Sequence, residues 1–355
     1  MLPSGTSSRR QRTQENRGRI IMNEFAFIEY LRKKIPLAGR VRVGIGDDAA
    51  VLDVNKDMQL VVSTDVIVEN VDFTVRHPRA GGDPESGFPI KAFGNDKLSS
   101  VLSPEMIGRK ALAVNLSDIA AMGASPTAFV ISVGKPAYIS TTWLKRFYNG
   151  LLALAKQYNV SCAGGDFSRS KEFFASVTIF GEVSPQQLTK RSGAKPGDWI
   201  GVTGALGGSF LRHHYDFTPR VREASFLAEH CAPTAMIDIS DGFVQDLTHI
   251  LKASRTGAVL DLDRIPVSLD AVKMSSGNKG KALLRALSDG EDFELLFTVP
   301  LRKKMMLERI WTKQFAKVPL TWIGKIEGNT PRISWCRDGK KFSPPQLQRK
   351  GFSHF

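Results

Sequence analysis

At 355 residues, with 42% hydrophobic and 24% charged residues, the chain has room for two ordinary domains and the make-up of a soluble globular protein. Its net charge of +14 is uneven: residues 1–22 carry +4, residues 302–355 carry +10, and the stretch between them sums to zero. Basic ends on a neutral body, with no RNA-recognition, KH, zinc-finger or P-loop motif, argue against a nucleic-acid partner. No run approaches 18 apolar residues, which argues against a membrane-spanning helix. The basic N-terminus lacks the apolar centre and cleavage site of a secretory signal. Cys162, Cys231 and Cys336 are too few and too scattered for a zinc site or a disulfide framework, so a reducing cytoplasm is the expected location.

In chain order, residues 1–21 lack hydrophobic periodicity and read as a disordered basic extension, with Met22 a candidate for the original start. Phe25, Ile28, Leu31 and Ile35 then recur at helical spacing. Val41–Leu52, broken by Gly46-Asp47-Asp48, and Leu60–Val68 read as strands. Residues 77–100 hold three prolines and four glycines without a period; they are expected to form an exposed loop, an insertion in preference to a lid. A helix follows over 104–124, a strand over 129–133, and an amphipathic helix over 142–158 capped by Ser140 or Thr141. Strands over 160–163 and 175–183 close a first domain, 22–184; residues 184–198 connect it to a second α/β domain, 190–355. The latter is read as strand 199–203, a glycine turn, a helix, the Asp238 cluster, helix 243–254, strand 257–262 and later strands near 293–299 and 321–326.

Five acidic clusters stand out: Gly46-Asp47-Asp48, Ser63-Thr64-Asp65, Asn115 to Asp118, Gly164-Gly165-Asp166, and Asp238-Ile239-Ser240-Asp241-Gly242, with Asp246 just beyond the last. In four of them an apolar run leads into the carboxylates, and strand ends in α/β domains are where ligands sit. Singly, each has an ordinary explanation: a turn for Gly46-Asp47-Asp48, a helix cap for Ser63-Thr64-Asp65. Asp118, inside an Ala/Leu/Ile-rich helix, calls for a cation, because a carboxylate is seldom buried without a partner. Oxygen ligands without His or Cys suit Mg²⁺. The glycines from Gly201 to Gly208 match neither a dinucleotide fingerprint nor a P-loop and read as a turn that could face a ligand. The six histidines, including His213-His214, read as surface residues.

The strings GIGDDAAVL (44–52), STD (63–65), KALAVNLSDIAAMGA (110–124), GGD (164–166), TKRSGAKPGDWIGVTG (189–204), IDISDG (237–242) and LSDGEDFELLFTV (287–299) resemble the thiamine-monophosphate kinases. These belong to the superfamily of aminoimidazole ribonucleotide synthetase and selenophosphate synthetase; nothing here fits the reactive Cys of the latter. The resemblance implies a two-domain α/β fold whose N-terminal strands form a homodimer interface. It also implies phosphorylation of thiamine phosphate by ATP with several Mg²⁺ ions. Asp48, Ser63, Thr64, Asp65, Asp118, Asp166, Asp238 and Asp241 match metal ligands; Gly165, Asp166, Arg191 and Ser240 match ATP contacts; Asp72, Glu291 and Phe352 stand at substrate positions. Asp118, Asp166 and Arg191 are the expected catalytic set. The nucleophile would be a phosphate oxygen, ionised at neutral pH, so no side-chain base is needed.

Three departures concern the substrate side. Asp72 stands where the family commonly has His, Phe352 replaces a Tyr or Trp, and the stretch after Gly208 is short. The rival readings are another ATP-using member of the superfamily, or a basic RNA-associated protein with vestigial sites.

Overall fold

Phe25, Ile28 and Leu31 give the first helix its half-buried stripe, joined by Glu24 at its start, while its other residues face solvent. The computed structural model describes residues 24–74 and 102–342. The extension 1–21, Met22, the insertion 77–100 and Phe352 therefore lie outside the described residues. The first half contains α1 (Glu24–Lys34), β1 (Val41–Val43), β2 (Ala50–Asp53), β3 (Gln59–Val68), α2 (Pro104–Ala121), β4 (Ser125–Lys135), α3 (Thr141–Gln157), β5 (Ser161–Arg169) and β6 (Phe174–Val183). The second half begins with β7 (Trp199–Thr203), α4 (His213–Asp216), α5 (Val221–His230), β8 (Ala235–Asp238), α6 (Phe243–Ser254) and β9 (Gly257–Asp261). It ends with α7 (Leu269–Met274), α8 (Lys279–Ser288), β10 (Leu295–Val299), α9 (Leu301–Gln314), β11 (Leu320–Glu327), β12 (Ile333–Arg337) and β13 (Lys340–Phe342).

Each half is built on one sheet. The first is ordered β1-β2-β3-β6-β4-β5 and the second β13-β12-β9-β11-β7-β10-β8, so each mixed sheet lies within one half of the chain. Strand pairs are antiparallel except β4–β5 and β9–β12. The strand expected to stop at Ala163 runs on to Arg169, because parallel pairing with β4 carries the ladder through Gly164, Gly165 and Asp166. Gly165 has a structural reason: a Cβ there would fall 1.9 Å from the Ile131 carbonyl on β4. All nine residues of β5 are exposed, and it forms one edge of the sheet.

The helix that matters most for function is α2. Ser103 caps it by accepting a hydrogen bond from the Met106 N–H (3.3 Å), and Pro104 occupies the first turn, where a missing N–H costs little. Ile107, Leu112, Leu116 and Ile119 are fully buried, as are residues on its other faces. A helix apolar nearly all round belongs in an interior. α2 packs on α3, β3 and β6 on one side and on α4, α5 and β8 of the second half on the other. The polar groups on the α2 face towards the second half are consequently placed at the junction of the two halves.

Candidate active site

Four segments converge at that junction. β3 alternates its faces, so Ser63 and Asp65 turn towards α2 while Thr64 turns away. The Ser63 hydroxyl donates to Asp118 Oδ2 (2.5 Å), and the Asp65 N–H donates to Asn115 Oδ1 (3.2 Å). Ser117, one residue before Asp118, donates to Asp238 Oδ2 (2.6 Å) at the end of β8. The loop between β1 and β2 brings in Asp48, whose Oδ1 accepts from Arg191 Nε (3.1 Å) and Nη2 (2.6 Å). Asp47 accepts the Arg191 backbone N–H (3.1 Å). Carboxylate oxygens of Asp48, Asp118 and Asp238 then lie within 4.8 Å of one another.

This concentration of acid is electrostatically costly by itself. Burial pushes Asp118 well above the usual carboxylate range, and the charges of Asp65 and Asp238 push it further. Burial likewise raises Asp238 to about 7, reinforced by Asp48, and Asp47 to about 6, also reinforced by Asp48. Asp48 is raised by burial even though Arg191 opposes the shift. Its Oδ2 is buried without a hydrogen-bond partner. A buried carboxylate oxygen with no donor, aimed among other carboxylates, is the environment that a hard divalent cation satisfies and a neutral side chain does not.

A second group adjoins the first. Asp241, Asp246 and His249 bring ligand atoms within 4.8 Å of one another. Asp246 Oδ2 accepts the N–H groups of Asp241 (3.2 Å) and Gly242 (3.1 Å), and burial, then Asp241, raises its carboxyl well above normal. Burial pushes His249 down to about 4. Asp246 had been noted only as a neighbour of the Asp238 cluster, and His249 was missed; its spacing of three residues from Asp246 on α6 was the available signal.

Several expected residues lie elsewhere. The Thr64 hydroxyl, on the far face of β3, bonds the Val177 carbonyl (3.1 Å) and the Thr178 hydroxyl (3.0 Å) and does not reach the cluster. Asp166 and Gly165 sit on β5, three strands from β3, on the order of 14 Å along the sheet. Asp72 follows β3, and its Oδ2 accepts the Val68 N–H (2.8 Å). Ser240 and Glu291 are adjacent, the Glu291 N–H donating to the Ser240 carbonyl (2.7 Å).

In the glycine turn, the Gly207 N–H bonds both oxygens of Asp292 and the Gly208 N–H bonds Asp289, while Gly204, Ala205 and Gly207 line a cavity. One reading needs correction. His214 is buried rather than on the surface, because α4 folds back onto α2. There Lys110, 1% exposed, reaches His214 Nδ1 (3.3 Å) and Glu291 Oε1 (2.8 Å).

Residues 46–183 match the model of the AIR synthase related protein N-terminal domain. A thiamine-monophosphate kinase from Rhodopirellula baltica is 39% identical over 316 residues, spanning 86% of this chain and 90% of the relative. The chain belongs to the thiamine-monophosphate kinase family. The Salmonella typhimurium thiamine-monophosphate kinase is 35% identical, with 89% of this chain and 92% of that kinase aligned. Among solved structures, AaThiL complexed with AMPPCP and TMP superposes with a TM-score of 0.73 at 28% identity, covering 94% of this chain and 98% of that one. This kinase-family fold fits the two-sheet architecture with its buried carboxylates between the halves.

Proposed function

We infer that this chain is an enzyme that transfers the terminal phosphoryl group of ATP directly to thiamine phosphate, yielding thiamine diphosphate and ADP. The observation that carries this reading is the buried Asp48–Asp118–Asp238 cluster with its unpartnered Asp48 oxygen, in a chain whose relatives are thiamine-monophosphate kinases. Support for the two ligands comes from AaThiL, which binds AMPPCP, an ATP analogue, together with TMP. Membership of this family makes an ATP-using activity on a different substrate, or an RNA-associated role, the weaker reading.

We assign Mg²⁺ to the carboxylates, with Asp48, Asp118 and Asp238 as its main holders, Asp65 and the Ser63 hydroxyl beside them, and Asp241 in the adjoining group. A divalent cation there supplies the positive charge that lets two phosphate groups approach each other. Arg191, on the Asp48 side, provides a guanidinium for the nucleotide phosphates. The attacking oxygen belongs to thiamine phosphate, whose second ionisation lies near pH 6, so it is already deprotonated at neutral pH. It displaces ADP in line, and the side chains contribute alignment and charge rather than proton transfer.

The division into 22–184 and 190–355 follows the two sheets and is proposed on that basis. We also propose that the exposed edge β5 meets a second copy of the chain. A free edge of that length invites pairing, and its Asp166 and Gly165 would enter a shared nucleotide site rather than remain far from the cluster. Among the described residues no helix is long and apolar enough to cross a membrane, and the three cysteines are free; both accord with a cytoplasmic location.

The decisive assay incubates the purified chain with ATP, Mg²⁺ and, separately, thiamine, thiamine phosphate and an aminoimidazole precursor. Thiamine diphosphate and ADP should appear in equal amounts with thiamine phosphate alone. Turnover restricted to another acceptor would refute the assignment.

A further inference from the structure

Lys110 is the unusual residue of the junction. A lysine 1% exposed has surrendered its hydration, and taking an ammonium out of water costs several kcal/mol unless it is paired. Its partners are Glu291 Oε1 at 2.8 Å and His214 Nδ1 at 3.3 Å, and His214 Nδ1 lies 3.4 Å from Glu291 Oε2. Apolar side chains of similar volume would fill the same space without that penalty, so packing alone does not explain the triad.

The three members differ in access. The side chains of Lys110 and His214 are 1% and 4% exposed, whereas that of Glu291 is 26% exposed, so the carboxylate alone opens outward. Burial pushes the Glu291 carboxyl up, but Lys110 and His214 outweigh it and hold the group below the usual range. Its backbone adopts φ +62°, a left-handed conformation uncommon for a side-chain-bearing residue, and its N–H is tied to Ser240 beside the acidic loop. Lys110 and Asp118 both project from α2, eight residues and about 12 Å apart along the axis. One rigid helix therefore carries both the phosphoryl-transfer cluster and the anchor of Glu291.

We propose that Lys110, assisted by His214, is a positioning and specificity residue that presents the Glu291 carboxylate to the aminopyrimidine end of thiamine phosphate while the phosphate end lies at the Asp118 cluster. This rests on the phosphotransfer reading above. Glu291 accepts hydrogen bonds from the ring's amino donor; Lys110 touches no substrate atom and acts through Glu291.

A double-mutant cycle of Lys110→Met, Glu291→Gln and the pair tests this, with KM measured separately for thiamine phosphate and ATP. A phosphorylated hydroxyethylthiazole lacking the pyrimidine serves as comparator. Glu291→Gln should raise the thiamine-phosphate KM about tenfold or more, the scale of a hydrogen bond to a charged group, with the ATP KM unchanged. Lys110→Met should act in the same direction. The double variant should be no worse than Glu291→Gln alone, since the two residues form one unit. None of the variants should lose efficiency on the comparator to the same extent. If Lys110→Met fails to fold because it strands a buried carboxylate, comparison of Glu291→Gln with the double variant still decides. Additive effects, an equal shift in the ATP KM, or equal loss on the comparator would overturn the proposal while leaving the kinase reading intact. A wild-type chain that forms no thiamine diphosphate overturns both.

Discussion

Replacing Asp238 by Asn should make the metal-free protein more stable while it destroys activity. Asp238 is 2% exposed, and burial with the nearby Asp48 charge raises its carboxyl from 3.8 to about 7. Between those values the folded protein holds a proton that the unfolded chain has released, so stability falls as pH rises from about 4 to about 7. At pH 7.5 the group is mostly ionised, and a shift of roughly three units corresponds to about 4 kcal/mol of destabilisation. Asparagine removes the charge, and its side-chain oxygen still accepts the Ser117 hydroxyl bond. In EDTA at pH 7.5 the variant should melt on the order of 5–10 °C above wild type, with the difference vanishing near pH 4. Excess Mg²⁺ should stabilise wild type and reverse the order. Differential scanning fluorimetry across pH, with and without Mg²⁺, reads all three effects. A variant that melts below wild type in EDTA at pH 7.5 would refute the electrostatic account of the cluster.

Asp118→Asn and Asp166→Asn should each lower kcat by at least about 100-fold, the loss of metal-held charge, with far-UV circular dichroism unchanged; near-wild-type turnover at saturating Mg²⁺ in either variant removes that residue from the machinery. Asp72→His should reduce stability by about 1 kcal/mol through loss of the Val68 N–H bond and leave the thiamine-phosphate KM within about twofold, as judged by urea titration and steady-state kinetics. A marked fall in that KM would mean instead that the carboxylate repels the substrate. Deleting residues 77–97 should preserve melting temperature and activity, because the flanking Phe73 and Leu102 both belong to the core of the first half and the removed stretch has no periodicity to build one; activity lost at normal stability would identify a lid.

Elements whose signals are local were legible in the sequence. β7 and α6 fall on the ranges read from periodicity, and Ser140 caps α3 by accepting the Trp143 N–H (3.1 Å). The acidic clusters were visible because apolar strands end in carboxylates, and four of the five converge at the junction around α2. Features set by distant partners were not legible. Lys110 sits in an Ala/Leu/Val string, and its partner Glu291 lies 181 residues away, so nothing local reveals that its charge is needed. Likewise, His214 depends on the docking of a four-residue helix against α2, which no periodicity encodes. Thr64 shows the opposite failure, since strand alternation already sends it to the face away from Ser63 and Asp65. Asp166 was placed with the others by its motif, and the ladder between β4 and β5 carries it to the far edge of the sheet.

The junction has a consistent physical logic. Burying several carboxylates together opposes docking of the two halves, so docking must be secured by ties that do not depend on the cluster. α2 provides them along its length: Arg109 donates to the carbonyls of Tyr215 and Phe217, and Lys110 to Glu291. Each of these donors belongs to the first half and each acceptor to the second. The acidic cluster is thereby complete only when the halves are docked, since Asp118 and Asp48 come from one and Asp238 from the other. A cation bound there relieves the repulsion and strengthens the same interface, which couples metal affinity to closure of the junction. Hydroxyl-bearing Ser63 and Ser117 suit this arrangement because each stabilises a carboxylate without adding charge, leaving the remaining oxygens for the ion.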